Sequence, residues 1–253
     1  MINLVEFHVV DHCNLNCRGC AHFAPVGGQW FAEVEEFKTS LSALSRLQTV
    51  KAIRLMGGEP FLHPRLFDFV SVARDVLGDD SEVRVMTNGQ LLRDGLASLI
   101  TFAKRVNLVV EVTRYPAPAK NVDRELQLLT AAGVDVRVVN VNVKTLRHHR
   151  LDVVNRWPTT SCVMTESEGS LQLRGGVLYR CPITAYVDRL NAEFSTKFTV
   201  DPVDVLDLSS ATVNDVENFT TTRNKFCGNC APCEYGLPFT VSERKLSEWT
   251  VSE

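Results

Sequence analysis

The sequence predicts an α/β fold, a parallel sheet with helices outside it, followed by a smaller unit built in another style. Three observations carry this. Strand-length apolar runs alternate with helix-length amphipathic segments from residue 4 to residue 138. The connections are short, as repeated β-α units require. After residue 155 the alternation stops and cysteines gather, so the chain divides into residues 1–155 and 156–253.

Each element has its own signal. Leu4 to Val10 reads as a strand that runs into the first cysteines, and Phe37, Leu41 and Leu44 mark a helix face. Ala52 to Met56 is a short strand ending in Gly57-Gly58-Glu59-Pro60. Leu66, Phe69, Val70, Ala73 and Leu77 share a helix face that Gly78-Asp79-Asp80 stops. Val83 and Val85 alternate in a third strand ending at Thr87-Asn88-Gly89, and Leu92, Leu96 and Leu99 follow at helical spacing. Leu108 to Val112 is the fourth strand. Val122, Leu126 and Leu129 give a helix, and Val134, Val136 and Val138 a fifth strand. A curled sheet would gather the strand-end loops at one rim, where active sites form. The first cysteines, Gly-Gly-Glu-Pro, Thr-Asn-Gly and Thr113-Arg114 all follow strands.

Beyond residue 155, Pro158, Thr159, Thr160 and Ser161 read as a boundary. Leu171-Gln172-Leu173 and Val177-Leu178-Tyr179 flank Arg174-Gly175-Gly176 as a β-hairpin. Ser209 or Ser210 is a candidate cap for a short helix through Val216. His148 and His149 read as a solvated basic helical face, because adjacent residues on a helix diverge by about 100°.

The bulk numbers bound the function. With 253 residues, 45% hydrophobic, 23% charged and a net charge of −3, the chain has ordinary globular composition. No basic excess points to nucleic acid or an anionic membrane. No run approaches the roughly 20 apolar residues of a membrane span, and no signal-peptide pattern opens the chain, so the cytoplasm is the expected location.

Eight cysteines are unusual for such a protein. In the cytoplasm, clustered thiols mean metal or redox chemistry more often than disulfides. Cys13, Cys17 and Cys20 form one group; Cys162, Cys181, Cys227, Cys230 and Cys233 form another. Three thiolates from one loop fall short of the four ligands of a structural zinc, unless His12 or His22 is added. They suit a [4Fe–4S] cluster with one iron left open. In the second group, a hairpin with a cysteine on each side meets a C-terminal Cys-x2-Cys, and four thiolates serve zinc or an iron–sulfur cluster equally.

The loop Cys13-Asn14-Leu15-Asn16-Cys17-Arg18-Gly19-Cys20 after a first strand, with Gly57-Gly58-Glu59-Pro60 after the second, resembles the signature of the radical S-adenosylmethionine (SAM) superfamily. That resemblance implies a partial (β/α)6 TIM-like barrel with a small C-terminal auxiliary-cluster extension of hairpin plus helix. It implies a [4Fe–4S] cluster on Cys13, Cys17 and Cys20 whose open iron chelates SAM. Gly57, Gly58, Glu59 and Pro60 would hold the SAM amino group, with Asn88, Thr113, Arg114 and Asn140 at the ribose, carboxylate and adenine. Many members place an aromatic residue before the third cysteine; here it is Gly19, which leaves His22 or Phe23 for that role.

The second group is similar to the twitch or SPASM-like extension of aminocyclitol dehydrogenase and of radical SAM proteins associated with carbohydrate biosynthesis. By that likeness Cys162, Cys181, Cys227 and Cys230 hold an auxiliary [4Fe–4S] cluster, and Cys233 is a spare thiol able to donate hydrogen to a substrate radical. The implied activity is reductive SAM cleavage to a 5′-deoxyadenosyl radical and hydrogen abstraction from a small sugar or aminocyclitol, for epimerisation or dehydrogenation. A cellular reductant such as flavodoxin or ferredoxin is the implied partner, with neither nucleic acid nor membrane. Peptide modification is the alternative within the superfamily. A non-catalytic iron–sulfur carrier or zinc scaffold is the alternative outside it, and neither needs Gly-Gly-Glu-Pro.

Overall fold

The structure is a computed structural model that describes residues 1–116, 121–141, 147–154, 157, 162, 169–235 and 237–251. Strands β1 (Leu4–Val10), β2 (Ala52–Gly57), β3 (Glu82–Thr87), β4 (Leu108–Arg114) and β5 (Asp135–Asn140) alternate with helices α1 (Val34–Leu47), α2 (Leu66–Leu77), α3 (Leu92–Val106) and α4 (Asp123–Ala131). There follow β6 (Arg147–His148), β7 (Ser170–Arg174), β8 (Val177–Tyr179), α5 (Pro182–Phe194), β9 (Val205–Asp207), α6 (Val213–Thr221) and β10 (Glu234–Tyr235).

One sheet runs in the order β5-β4-β3-β2-β1-β7-β8-β9. β1 to β5 and β7 are parallel, and β8 and β9 return antiparallel. Its outer strands β5 and β9 do not pair with each other, so this is an open, partial barrel. The sixth parallel strand is the first arm of the expected hairpin, and it lies beside β1 on the side away from β2. Among the described residues, no helix is long and apolar enough to cross a membrane.

The two faces of the sheet differ because strand side chains alternate. Val5, Phe7, Ile53, Leu55, Val83, Val85, Val110 and Val112 pack against the apolar stripes of α1 to α4. On the opposite face, Gln172 and Arg54 donate to Glu6, and Arg54 Nε donates to Glu111 at 2.6 Å. Arg84 joins Glu111 to Glu82, which Arg137 holds at 2.9 Å. This ion-paired ribbon crosses from β7 to β5. Helix α5 covers part of the same face, where Tyr186 stacks on His8 with centroids 3.9 Å apart.

Local expectations change in three places. The cap of α6 is Thr212, which forms a capping box with Asp215, so Ser209 and Ser210 lie outside the helix. His148 and His149 are buried rather than solvated, and His148 ends β6, which pairs with β10. Helix α5 carries no one-sided apolar stripe, because eight of its side chains, Pro182 to Val187 with Arg189 and Leu190, are buried. The boundary expected at 158–161 lies outside the described residues.

Arg54 is the sole bridge in this ribbon between Glu6 and Glu111, and all three side chains are largely buried. Arg54→Met should therefore destabilise the fold by about 3–5 kcal/mol, because buried Glu6 loses its cation and Glu111 is left with Arg84 at 3.2 Å. Arg137→Met, at the exposed end, should cost under about 1 kcal/mol. Urea unfolding of both variants checks the contrast.

Candidate functional site

The loop leaving β1 is bent by left-handed backbone at Asn16, Gly19 and Phe23, with φ of 48°, 64° and 54°. These bends bring Cys13, Cys17 and Cys20 to one cavity of about 140 Å³. Gly57 and Gly58 from the end of β2, Thr87 and Asn88 from β3, and Thr113 from β4 complete it. The strand ends thus meet at one rim, as the β-α pattern predicts.

The two glycines are required by contact. A Cβ on Gly58 would stand 1.9 Å from the His12 carbonyl oxygen, and one on Gly57 2.0 Å from that of Val10. At this range Gly58 N donates to Val10 O at 2.8 Å and Glu59 N to His12 O at 3.0 Å. Glu59 is fully buried. Its carboxylate accepts from Thr87 Oγ1 at 2.7 Å, Asn88 N at 2.8 Å and Phe61 N at 3.2 Å. Burial outweighs these bonds and pushes its pKa up to about 7. Asn88 then reaches the cysteine loop, donating to Asn14 Oδ1 at 2.7 Å and to Cys13 Sγ at 3.6 Å.

Burial, together with the charge the neighbouring thiols would carry, pushes Cys13 up to about 11 and raises Cys17 further. Burial raises Cys20 as well. Among the described residues, no lysine or arginine lines the cavity. Three thiolates there would need positive charge from a bound group, which a metal centre supplies. Among the described residues, no three His, Cys, Asp or Glu side chains converge closely enough to hold one metal ion. The three sulfurs instead border a volume, and a [4Fe–4S] cluster takes each thiolate on a different iron. The donor set fits such a cluster better than a lone zinc.

Sequence reasoning missed several cavity residues. Tyr115 lines it beside Cys17 and packs on Phe239 at 5.2 Å; the aromatic after Thr113-Arg114 was its available signal. Met56 and Met86 also line it. His22, which the sequence did single out, lines it too and shares a 2.7 Å hydrogen bond with His8. Phe23 points elsewhere, fully buried against Trp249. Of the two candidates for the missing aromatic, His22 faces the cavity and Phe23 does not. Gly19 has a steric cause: a Cβ there would meet His148 Nδ1 at 2.6 Å. Glu59, Pro60, Arg114 and Asn140 do not line the cavity; Arg114 pairs with Asp123 and Asn140 is exposed.

The thiols of the second group are close enough to act on one another electrostatically. Burial raises the Cys230 thiol, and Cys181, Cys227, Cys162 and Cys233 all lie near enough to raise it further. Cys181 caps α5, accepting from Thr184 N at 3.5 Å and from Asn224 Nδ2 at 3.4 Å. Cys233 Sγ lies 3.4 Å from His149 Nδ1.

A parallel open barrel with three thiols and a glycine pair at its rim defines a class of cofactor-binding enzyme, and comparison with known proteins agrees. The family model of the radical SAM superfamily matches residues 8–165. The chain belongs to the radical SAM superfamily, which implies a [4Fe–4S] cluster and SAM as cofactors. GTP 3′,8-cyclase of Chlorobaculum tepidum is 31% identical over 156 residues, 61% of this chain and 37% of that protein. That of Heliobacterium modesticaldum is 28% identical over 67% of this chain and 42% of its own length. The chain thus spans well under half of these curated relatives. Among solved structures, BtrN in complex with AdoMet and 2-DOIA is similar in fold, with a TM-score of 0.59 at 17% identity, covering 92% of this chain and 94% of that one.

Glu59 supplies a pH test. Its folded pKa of about 7 lies above the usual 4.5, so between these values the folded state holds a proton that the unfolded state has lost. Stability from this group is therefore full below pH 4.5 and falls as pH rises to 7. The unfolding free energy of the wild type, relative to Glu59→Gln, should drop by about 2–3 kcal/mol between pH 5 and pH 8. Urea titrations at both pH values measure it.

Proposed function

We propose that this chain is a radical SAM enzyme acting on a small carbohydrate or aminocyclitol-like ring, by epimerisation or dehydrogenation. Cys13, Cys17 and Cys20 hold the SAM-binding [4Fe–4S] cluster, and Cys162, Cys181, Cys227 and Cys230 hold an auxiliary one. The observation that carries the reading is the shared cavity of the first three thiols with Gly57 and Gly58. When bound, cluster and SAM supply a 5′-deoxyadenosyl radical that removes a hydrogen atom from the substrate.

The chain's residues do the rest. Gly57 and Gly58 present bare backbone to the SAM amino group, and Asn88 and Thr113 line the wall beside it. Glu59 and Pro60 act behind that wall by holding Asn88 and the turn. Arg114 and Asn140 stand at the outer rim, for the adenosine end. Cys233, paired with His149, has the S–H bond to return a hydrogen atom to a carbon radical. A one-electron reductant such as flavodoxin or ferredoxin serves the cycle.

A ring substrate is favoured by the likeness to BtrN across almost the full length of both chains, 2-DOIA being that protein's ligand. The match to the GTP 3′,8-cyclases lies in less than half of their length, so their substrate is not carried over.

Replacing Cys13, Cys17 and Cys20 together with Ala should remove about four irons per chain and leave about four on the second group. Anaerobic reconstitution followed by iron and sulfide analysis reads this, and 5′-deoxyadenosine formed by the triple variant under dithionite would sink the assignment. Cys233→Ala separates the two reactions. An epimerase variant keeps its iron and its SAM cleavage but loses product, and the wild-type epimer gains one deuterium on carbon in deuterium oxide. A dehydrogenase keeps turnover in Cys233→Ala.

A further inference from the structure

The residues beyond the last cysteine return to the first thiol loop. Arg18 N donates to Thr240 O at 3.0 Å and Ser242 N to Asn16 O at 2.7 Å, which sets Val241 opposite Cys17 in an antiparallel bridge. Further on, Trp249 is 1% exposed and packs between Phe23 and Phe194. Its indole Nε1 donates to the carbonyl oxygen of Cys20 at 3.0 Å.

The same tryptophan is tied to the second group. Leu151 N donates to Trp249 O at 2.7 Å, and Val251 N returns to Leu151 O at 2.9 Å. Leu151 in turn forms an antiparallel bridge with Cys230. On either side of it, Ala231 N donates to Arg150 O at 2.9 Å and Asp152 N to Asn229 O at 2.8 Å. Contacts therefore run from Cys20 through Trp249 and Leu151 to Cys230, the last step through the backbone bonds that flank the Leu151–Cys230 pair.

Two features make this more than packing. The first thiol loop holds three residues in left-handed backbone, Asn16, Gly19 and Phe23, and few bonds of its own, Cys20 N to Cys17 O at 3.3 Å and Phe23 N to Cys20 O at 3.0 Å among them. Its shape depends on partners from outside. A buried indole N–H without an acceptor is costly, so Trp249 cannot shift without carrying the Cys20 carbonyl with it or losing that bond.

We infer that Trp249 is a positioning residue that couples the two cysteine groups, so that what the second group holds alters how tightly the first site binds SAM. The coupling rests on the reading that both groups hold [4Fe–4S] clusters. Loading the second group fixes Cys230, Leu151 and Trp249 in turn, and thereby the Cys20 end of the first loop.

The test is a double-mutant cycle on the full chain, reconstituted anaerobically. The four proteins are wild type, Cys181→Ala/Cys230→Ala, Trp249→Phe and their combination. SAM affinity is measured by equilibrium dialysis, and the dithionite-reduced first cluster is followed by electron paramagnetic resonance with and without SAM. Emptying the second group should weaken SAM binding about five- to tenfold, the worth of one net hydrogen bond, and Trp249→Phe should do the same. The combination should be no weaker than either change alone, because both break one path. A merely structural tryptophan gives multiplied effects. Multiplied effects, or no effect of emptying the second group, overturn the inference. If Trp249→Phe fails to fold by circular dichroism, Leu151→Pro removes the N–H that reaches Trp249 O and must show the same non-additivity. Iron analysis separates the two levels. About eight irons in the wild type and about four in the cysteine double variant uphold the site reading, so that a missing coupling then refutes the link alone. Other iron counts refute the site reading itself.

Discussion

The rim of this barrel depends on one buried carboxylate. Strands of a parallel sheet end with backbone N–H groups that the ladder no longer satisfies, and burying them unpaired is costly. Glu59 meets that need for β2 and β3 at once, accepting from Phe61 N, Asn88 N and the Thr87 hydroxyl. Through Asn88 the same constraint reaches Asn14 and Cys13, and through its own N–H it reaches His12. Gly58 is the condition for all of this, since any side chain there would strike the His12 carbonyl. The Gly-Gly-Glu run is thus a structural joint that also lines the cavity of the three thiols with its two glycines.

The sheet separates two kinds of chemistry. Its helix-facing side is an unbroken apolar layer, which anchors the strands and needs no specific partner. Its other side carries alternating carboxylates and guanidiniums from Glu6 to Arg137. Buried ion pairs add little stability compared with apolar packing. Their worth here is a hydrogen-bonded network that ties β7, β1, β2, β3, β4 and β5 together across the face the helices α1 to α4 leave uncovered.

The C-terminal segment gives the two cysteine groups a common frame. Gly19 lies against His148, His149 against Cys233, and Trp249 between Cys20 and Leu151. Neither group is a separate module at the level of contacts. The first loop borrows its outer wall from residues more than two hundred positions away, and burial of the Trp249 indole makes that wall specific.

Much of this was legible in the sequence, because its signals are local. Period-two and period-3.6 patterns decide strands and helices, and Cys-x3-Cys-x2-Cys with Gly-Gly-Glu-Pro after consecutive strands marks the rim. The hairpin of β7 and β8 announced itself by Arg174-Gly175-Gly176. Helix α5 did not, since a helix buried on several sides has no stripe, and the histidine pair misled because strand and helix place neighbouring residues differently. Sequence by itself determined the alternation of strands and helices in the first half, the grouping of the thiols and the glycine pair after the second strand, each a matter of neighbours along the chain. Only the tertiary structure decided that β7 flanks β1, that Glu59 serves backbone amides, and that Trp249 closes over Cys20. Those contacts join residues far apart in sequence, and their energy comes from desolvated polar groups that must find partners wherever the chain brings them.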